Sequence, residues 1–166
     1  MKALVFAGLI CLMACGGSLS DEQRKRLHEG VDKQKIVKLS DSEITSASLD
    51  HGRLVFAALE QLKFDPAKVD SLAQKFDVRI RWITPGSTNA LEVESQLIEA
   101  YVIGAETGST QDNIQAIHSQ GRPENDSLLY SRPILTPMAD GAVNVVGVWN
   151  IYISKKNIIL SAAKNY

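Results

Sequence analysis

The sequence VNVVGVWNIYIS, residues 143–154, decides the fold, because it is a long run rich in β-branched and aromatic residues that predicts a strand. Asp140-Gly141, just before it, is a dipeptide typical of tight turns. A second apolar run, LLYSRPIL at residues 128–135, precedes that turn. We therefore expect two strands in the C-terminal part of the chain, linked through residues 138–141.

A long amphipathic helix is predicted to begin after Ser40, because Ser40 and Glu43 have the spacing of a capping box. Apolar side chains then recur at three- and four-residue steps, as on one face of a helix. The members of this predicted face are Ile44, Ala47, His51, Val55, Ala58 and Leu62. Asp65-Pro66 supplies an N-cap and a first helical position, which predicts a second helix to Phe76.

The remaining elements complete an α+β pattern. Residues 78–83 alternate apolar and charged side chains, which predicts a half-buried strand. Asn89 and Glu92 are spaced to cap a third helix that ends near Gly104, and its buried face would carry apolar residues spaced as in a helix. Those residues are Val93, Leu97 and Tyr101, or their neighbours Ile98 and Val102. A short strand at 114–119 and a closing helix at 155–164 follow. Because this order contains no βαβ repeat, we predict an α+β domain with an antiparallel sheet.

The first fifteen residues resemble the signal of a bacterial lipoprotein. Lys2 gives a positive start, and the apolar run 3–12 has the length of a signal-peptide core. That run is too short to span a hydrocarbon core of ~30 Å. The following Leu12-Met13-Ala14-Cys15 resembles a lipobox, in which cleavage precedes the cysteine and its sulfur receives fatty acyl chains such as palmitate. The resemblance implies a signal peptide at 1–14 and lipidation at Cys15.

This resemblance also predicts where the protein works. A lipidated spacer at 15–39 would hold a domain at 40–166 on a membrane of the cell envelope. Gly16, rather than Asp, after the cysteine favours the outer membrane, with the domain facing the periplasm. Cys11 would leave with the signal and Cys15 would carry lipid, so the domain has no thiol for a disulfide, metal site or nucleophile. With 18 basic and 19 acidic side chains the chain has no positive excess, and we expect no nucleic-acid partner.

Two further segments carry a family resemblance. FDVRIR at 76–81, together with the long helix and the strands at 128–134 and 147–154, resembles the periplasmic PAS-like domains of c-type haem sensor proteins, a family largely of unknown function. The resemblance implies a PAS-like antiparallel sheet with a long N-terminal helix. The family carries Cys-x-x-Cys-His between the last two strands. The corresponding loop here, LTPMADG at 135–141, has neither cysteine nor histidine. Covalent c-type haem is therefore excluded, and we predict no cofactor.

Candidate ligand-binding residues lie on the predicted strands. Arg79 and Arg81 share one strand face, and Arg132 could approach from a neighbouring strand. Three converging guanidiniums, with Tyr130 beside them, would suit a carboxylate or phosphate. The alternative is surface arginines that pair with acidic neighbours; those neighbours are Asp77, Glu92 and Glu94. The aromatic residues of the strands fit a core better than a pocket; they are Trp82, Tyr130, Trp149 and Tyr152.

His51 is a further candidate because it lies on the apolar face of the long helix. It could ligate non-covalent haem together with His118 or Met138. The alternative is a histidine that bonds a backbone carbonyl or lies at the edge of the apolar face. No nucleophile elbow and no phosphate-binding glycine pattern occurs in the sequence, so we do not predict an enzyme.

The sequence thus predicts a non-enzymatic, lipid-anchored, PAS-like and sensor-like module in the periplasm. We expect it to bind a small molecule or an envelope protein. A redox protein with non-covalent haem and a structural envelope lipoprotein remain the alternatives.

Overall fold

The computed structural model describes residues 20–25, 39–119, 121–122, 126–139 and 141–163. The predicted signal peptide and Cys15 lie outside these residues. The chain divides into two units, Met1–Val37 and Lys38–Tyr166. In the first unit, residues 21–25 form one helical turn. Ser20 and Gln23 cap that turn reciprocally, since each backbone N–H donates to the other side chain, at 3.1 Å and 3.3 Å.

The second unit is an α+β domain. Its elements, in chain order, are α1 (Asp41–Gln61), α2 (Pro66–Phe76), β1 (Val78–Ile83), α3 (Glu92–Glu106), β2 (Asn113–Ile117), β3 (Ser127–Pro137), β4 (Val143–Ser154) and α4 (Lys155–Ala163). The strands form a sheet in the order β1-β4-β3-β2, and each neighbouring pair is antiparallel. The predicted α+β class and antiparallel sheet are confirmed. Within the described ranges, no helix combines the length and apolarity needed to cross a bilayer.

Helices cover both faces of the sheet. Successive residues of β4 point to opposite faces. Trp149, Ile151 and Ile153 join a core with α1, α2 and α4. Val148 and Tyr152 join a second core beneath α3. The predicted strand at 78–83 is confirmed and is partly buried. Its charged face lies toward α3, where Arg79 is exposed, Arg81 is half-buried and Ile83 is buried.

Helix α1 begins as predicted, and its buried face shares Ile44 and Val55 with the predicted face but is turned toward Ser48 and Gly52. Ser40 N–H donates to Glu43 Oε2 at 2.7 Å and Glu43 N–H to Ser40 Oγ at 3.2 Å, which completes the capping box. The buried residues are Ile44, Ser48, Gly52, Val55, Phe56 and Leu59, whereas Ala47, His51, Ala58 and Leu62 are only partly covered. The buried face is centred on small residues because the helix backbone approaches β3 closely. A Cβ added to Gly52 would lie 2.3 Å from Tyr130 Cγ.

Helix α3 starts later than predicted, so Asn89 is not its cap. The N-cap is Leu91, whose N–H donates to Glu94 Oε2 at 2.8 Å. The Asn89 carbonyl instead accepts a hydrogen bond from Arg81 Nη2 at 2.7 Å. The helix passes the predicted end at Gly104 and continues to Glu106. Its buried residues are Glu94, Leu97, Ile98, Tyr101 and Ala105, while Val102 is exposed.

Candidate functional site

An apolar cleft of about 490 Å³ lies where the start of α2 meets the sheet. Its lining comes from the α1–α2 loop, the first turns of α2 and three strands. The lining residues are Phe64, Pro66, Val69, Asp70, Ile80, Trp82, Ile134, Val146 and Trp149. A concave, mostly apolar volume of this size can bury a small organic molecule.

Four aromatic rings run in series from the core into this cleft. Phe56 on α1 lies 5.8 Å from Phe64, centroid to centroid. Phe64 stacks on Trp149 at 5.8 Å with an interplanar angle of 16°. Trp149 contacts Trp82 at 4.9 Å with an angle of 45°. Trp149 is buried, whereas 37% of Trp82 is exposed. The aromatic series therefore ends in an indole that is open to solvent.

The loop that places Phe64 in the cleft has a strained backbone. Lys63 and Phe64 both have positive φ, at 52° and 55°. Residues other than glycine rarely adopt this conformation, and such strain persists where the surrounding structure enforces it, often at ligand sites. Phe64 N–H donates to the Leu59 carbonyl at 3.0 Å, and the next residue, Asp65, caps α2. The strained turn thus joins two helices and presents Phe64 to Trp149.

A β-bulge forms the opposite wall. Ile134 pairs with Gly147 and Leu135 pairs with Val145, which leaves Val146 as an extra residue in β4. Bulges redirect side chains and are frequent beside functional sites. Here the extra residue lines the cleft. Next to it, Gly147 lies against Trp82, because a Cβ at Gly147 would be 2.4 Å from Trp82 Cζ2.

The chemistry of the cleft wall is simple. Among the described lining residues, the charged one is Asp70, an exposed residue of α2. The nine named residues include no serine, cysteine, histidine, methionine or lysine. This wall can bind an apolar or aromatic body and one polar or cationic group. It supplies no paired nucleophile and base, and no axial ligand for haem.

The three predicted arginines do not converge. Arg132 Cζ lies 4.3 Å from the ring of Phe56, on the face covered by α1. Arg79 Cζ lies 4.0 Å from the ring of Tyr152, on the opposite face. Arg132 is opposite Trp149 in the β3–β4 ladder and Arg81 is opposite Asn150 in the β1–β4 ladder. Since adjacent residues of β4 point to opposite faces, their cross-strand partners do too.

Tyr130 is fully buried and its hydroxyl donates to Asp112 Oδ2 at 3.2 Å. Burial raises the pKa of Tyr130 well above its usual value, and the Asp112 charge adds to this. Asp112 also accepts from Arg53, Nε to Oδ2 at 2.7 Å and Nη2 to Oδ1 at 3.2 Å. These hydrogen bonds lower the pKa of Asp112. Tyr130 therefore anchors the core, and its hydroxyl is engaged away from the cleft.

A polar network lies beneath α3. Glu94 is fully buried, and its Oε1 accepts from the Tyr152 hydroxyl at 2.7 Å. Arg81 Nε lies 3.0 Å from the same oxygen, an ion pair that lacks hydrogen-bond geometry. Arg81 thus pairs with Glu94, one of the acidic neighbours given above as the alternative to ligand binding, but the pair is not at the surface because Glu94 is fully buried. Asn150 is also fully buried, and neither Nδ2 nor Oδ1 finds a hydrogen-bond partner in the described part of the chain.

The predicted haem ligands have separate surroundings. His51 is partly covered and packs edge-on against Phe76 at 6.1 Å. His118 is largely exposed, with Nδ1 3.0 Å from Asp126 Oδ2. Met138 is exposed beyond the end of β3. Among residues 20–25, 39–119, 121–122, 126–139 and 141–163, no three or more His, Cys, Asp or Glu side chains cluster as a metal site would require.

Sequence reasoning found some of the cleft and missed the rest. Trp82 and Trp149 were recognised as strand aromatics and assigned to a core. Trp149 is indeed buried in the core and also lines the cleft, whereas 37% of Trp82 is exposed. Phe64 was missed because it lies between two predicted helices, and nothing in the sequence announces its positive φ. Val146 was missed because a bulge cannot be read from an apolar run. The adjacent Gly147 was the available signal, since a glycine inside a strand marks a bulge or a close approach.

The structure thus defines an α+β domain with an aromatic cleft on one sheet face. Comparison of the chain with protein-family models, with curated proteins and with solved structures found no match. The resemblances to lipoproteins and to PAS-like haem-sensor domains therefore stay predictions.

Proposed function

We propose that this protein is a lipid-anchored, PAS-like binding module of the cell envelope that takes a small apolar or aromatic molecule into the cleft. The observation that carries the binding role is the construction of the cleft wall: a strained Phe64 and a bulged Val146 both present apolar side chains to it. Strain and bulges cost stability, so their meeting at one cleft supports a role beyond packing.

The proposal assigns binding rather than catalysis. The cleft wall is apolar apart from Asp70, which is unlike a site for acid–base or nucleophilic chemistry. The proposed ligand site does not include Arg79 or Arg81, because both lie on the sheet face beneath α3. The antiparallel sheet with helices on both faces supports the PAS-like part of the proposal. The lipobox-like residues 12–15 support the anchor.

Ligand binding is tested with a matched pair of variants. Val146 lines the cleft and Val143 does not, although the two lie on one strand and are 41% and 40% exposed. We expect a screen of apolar and aromatic compounds, both neutral and charged, to yield a ligand that raises the melting temperature of the wild type and of Val143→Phe. Val146→Phe, which fills the cleft, should abolish the rise. A complete screen without any stabilising compound would contradict the binding role.

The anchor is tested separately in the native cell. Mass spectrometry of the mature N-terminus should find an acylated Cys15, and Cys15→Ser should release the protein from the membrane fraction. An unmodified and uncleaved N-terminus would overturn the localisation and leave the cleft proposal standing.

A further inference from the structure

The charge of the cleft wall restricts the ligand that it can take. Asp70 on α2 is the acid in the lining, and no basic side chain accompanies it among the lining residues that the structure describes. Lys68, on the same helix, lies 3.6 Å from Asp65 and does not line the cleft. A carboxylate beside an apolar wall favours a positively charged ligand and disfavours an anion.

The aromatic residues favour the same ligand class. The faces of aromatic rings carry negative potential, and tryptophan attracts cations most strongly. Trp82 is partly open to solvent, Trp149 is tilted 45° to it, and Phe64 stacks on Trp149. Rings that meet at different angles around one volume form the kind of wall that surrounds quaternary ammonium groups.

An anionic ligand would need a nearby arginine, and the candidate on this sheet face is already engaged. Arg132 lies over Phe56 and its charge helps to lower the pKa of Asp112. It does not line the cleft. Arg79 and Arg81 of β1 contact Tyr152 and Glu94 on the other face. The arginines of β1 and β3 are thus turned to other partners.

We propose that the cleft selects an organic cation, an amine or quaternary ammonium group on an apolar or aromatic body, with Asp70 and Trp82 contacting the charged group. This inference rests on the proposed function of the cleft as a binding site.

The test compares three probes that share one ring. Benzyltrimethylammonium, benzyl alcohol and benzoate are titrated by calorimetry into the full-length protein. We expect the cation to bind about tenfold more tightly than the alcohol, and benzoate to bind most weakly. Asp70→Asn should weaken cation binding about three- to fivefold and leave the alcohol unchanged. Glu99→Gln, an exposed acid on α3 that does not line the cleft, is the matched control and should change neither.

Each outcome separates this inference from the proposed function. Trp82→Leu should reduce the preference for the cation over the alcohol, because the open indole is lost. Equal binding of all three probes, or tightest binding of benzoate, would overturn the charge selection while the cleft remained a binding site. If no probe binds and the wider screen also fails, both proposals are wrong.

Discussion

The hydroxyl of Tyr152 donates a 2.7 Å hydrogen bond to Oε1 of Glu94, a carboxylate with no exposed surface. Burial raises the pKa of Tyr152 well above its usual value, and the bond to Glu94 adds to this, so the phenol stays a donor. A buried carboxylate depends on such donors, because without them it would lose its hydration with no compensation. The contact therefore joins α3 to β4.

Removal of the Tyr152 hydroxyl should destabilise the domain. We expect Tyr152→Phe to lower the free energy of unfolding by about 1–3 kcal/mol, because a hydrogen-bond acceptor on Glu94 loses its partner. Urea unfolding at neutral pH measures the change. Glu92→Gln, on the exposed first turn of the same helix, should stay within about 0.5 kcal/mol of the wild type. Equal stability of Tyr152→Phe and the wild type would show that Glu94 does not need this donor.

An apolar substitution of Asn150 should have the opposite effect on stability. Both polar atoms of its side chain are buried without a hydrogen-bond partner among the described residues. A buried polar group without partners costs stability. We expect Asn150→Leu, which has nearly the same shape, to leave the free energy of unfolding unchanged or to raise it by about 1 kcal/mol. A loss of more than about 2 kcal/mol would mean that the amide is satisfied in solution.

Gly52 gives a prediction about helix packing. Gly→Ala normally stabilises a helix by about 0.5–1 kcal/mol. At Gly52 the added methyl would meet the Tyr130 ring, with Cβ only 2.3 Å from Cγ. We expect Gly52→Ala to destabilise the domain by about 1–3 kcal/mol, because Tyr130 is fully buried and cannot move without repacking. A rise in the melting temperature would show that α1 does not approach β3 so closely.

The Arg53–Asp112 pair makes stability depend on acid pH. Hydrogen bonds from Arg53 hold the pKa of Asp112 below its usual 3.8. The folded chain therefore binds fewer protons here than the unfolded chain. The contribution is complete above about pH 5 and is lost as pH falls through the folded pKa. Between about pH 5 and pH 3, we expect the free energy of unfolding to fall by about 0.5–1 kcal/mol more in the wild type than in Asp112→Asn. The difference is small because solvent screens the exposed Arg53.

Urea unfolding at the two pH values measures this difference, and Glu99→Gln on the surface of α3 serves as the control. Identical acid dependence in Asp112→Asn and the wild type would mean that the pair is not formed in solution.

The sequence predicted the elements better than it predicted their contacts. The bounds of β1 and β4, residues 78–83 and 143–154, agree with the predicted strands, because β-branched alternation and turn residues are local signals. The cap of α1 at Ser40 was found for the same reason. Its buried face was predicted only in part. Ile44 and Val55 are buried as expected, but Ser48 and Gly52 also face the core, because they are small rather than because they are apolar.

The candidate site was harder to predict because it depends on register and backbone conformation. Arg132 and Arg81 were expected together, but they pair with adjacent residues of β4 and so point apart. Register of this kind is set by long-range pairing, which a single strand does not encode. The strained φ of Phe64 is likewise enforced by the surrounding fold.

The bulge in β4 also affects which substitutions the domain can accept. Val146 has no partner across the β3–β4 ladder, while Val145 and Gly147 on either side keep theirs. A replacement at Val146 would therefore change the wall of the cleft without disturbing strand alignment. Under the proposed binding role, substitutions at this position would alter specificity while the scaffold stays the same.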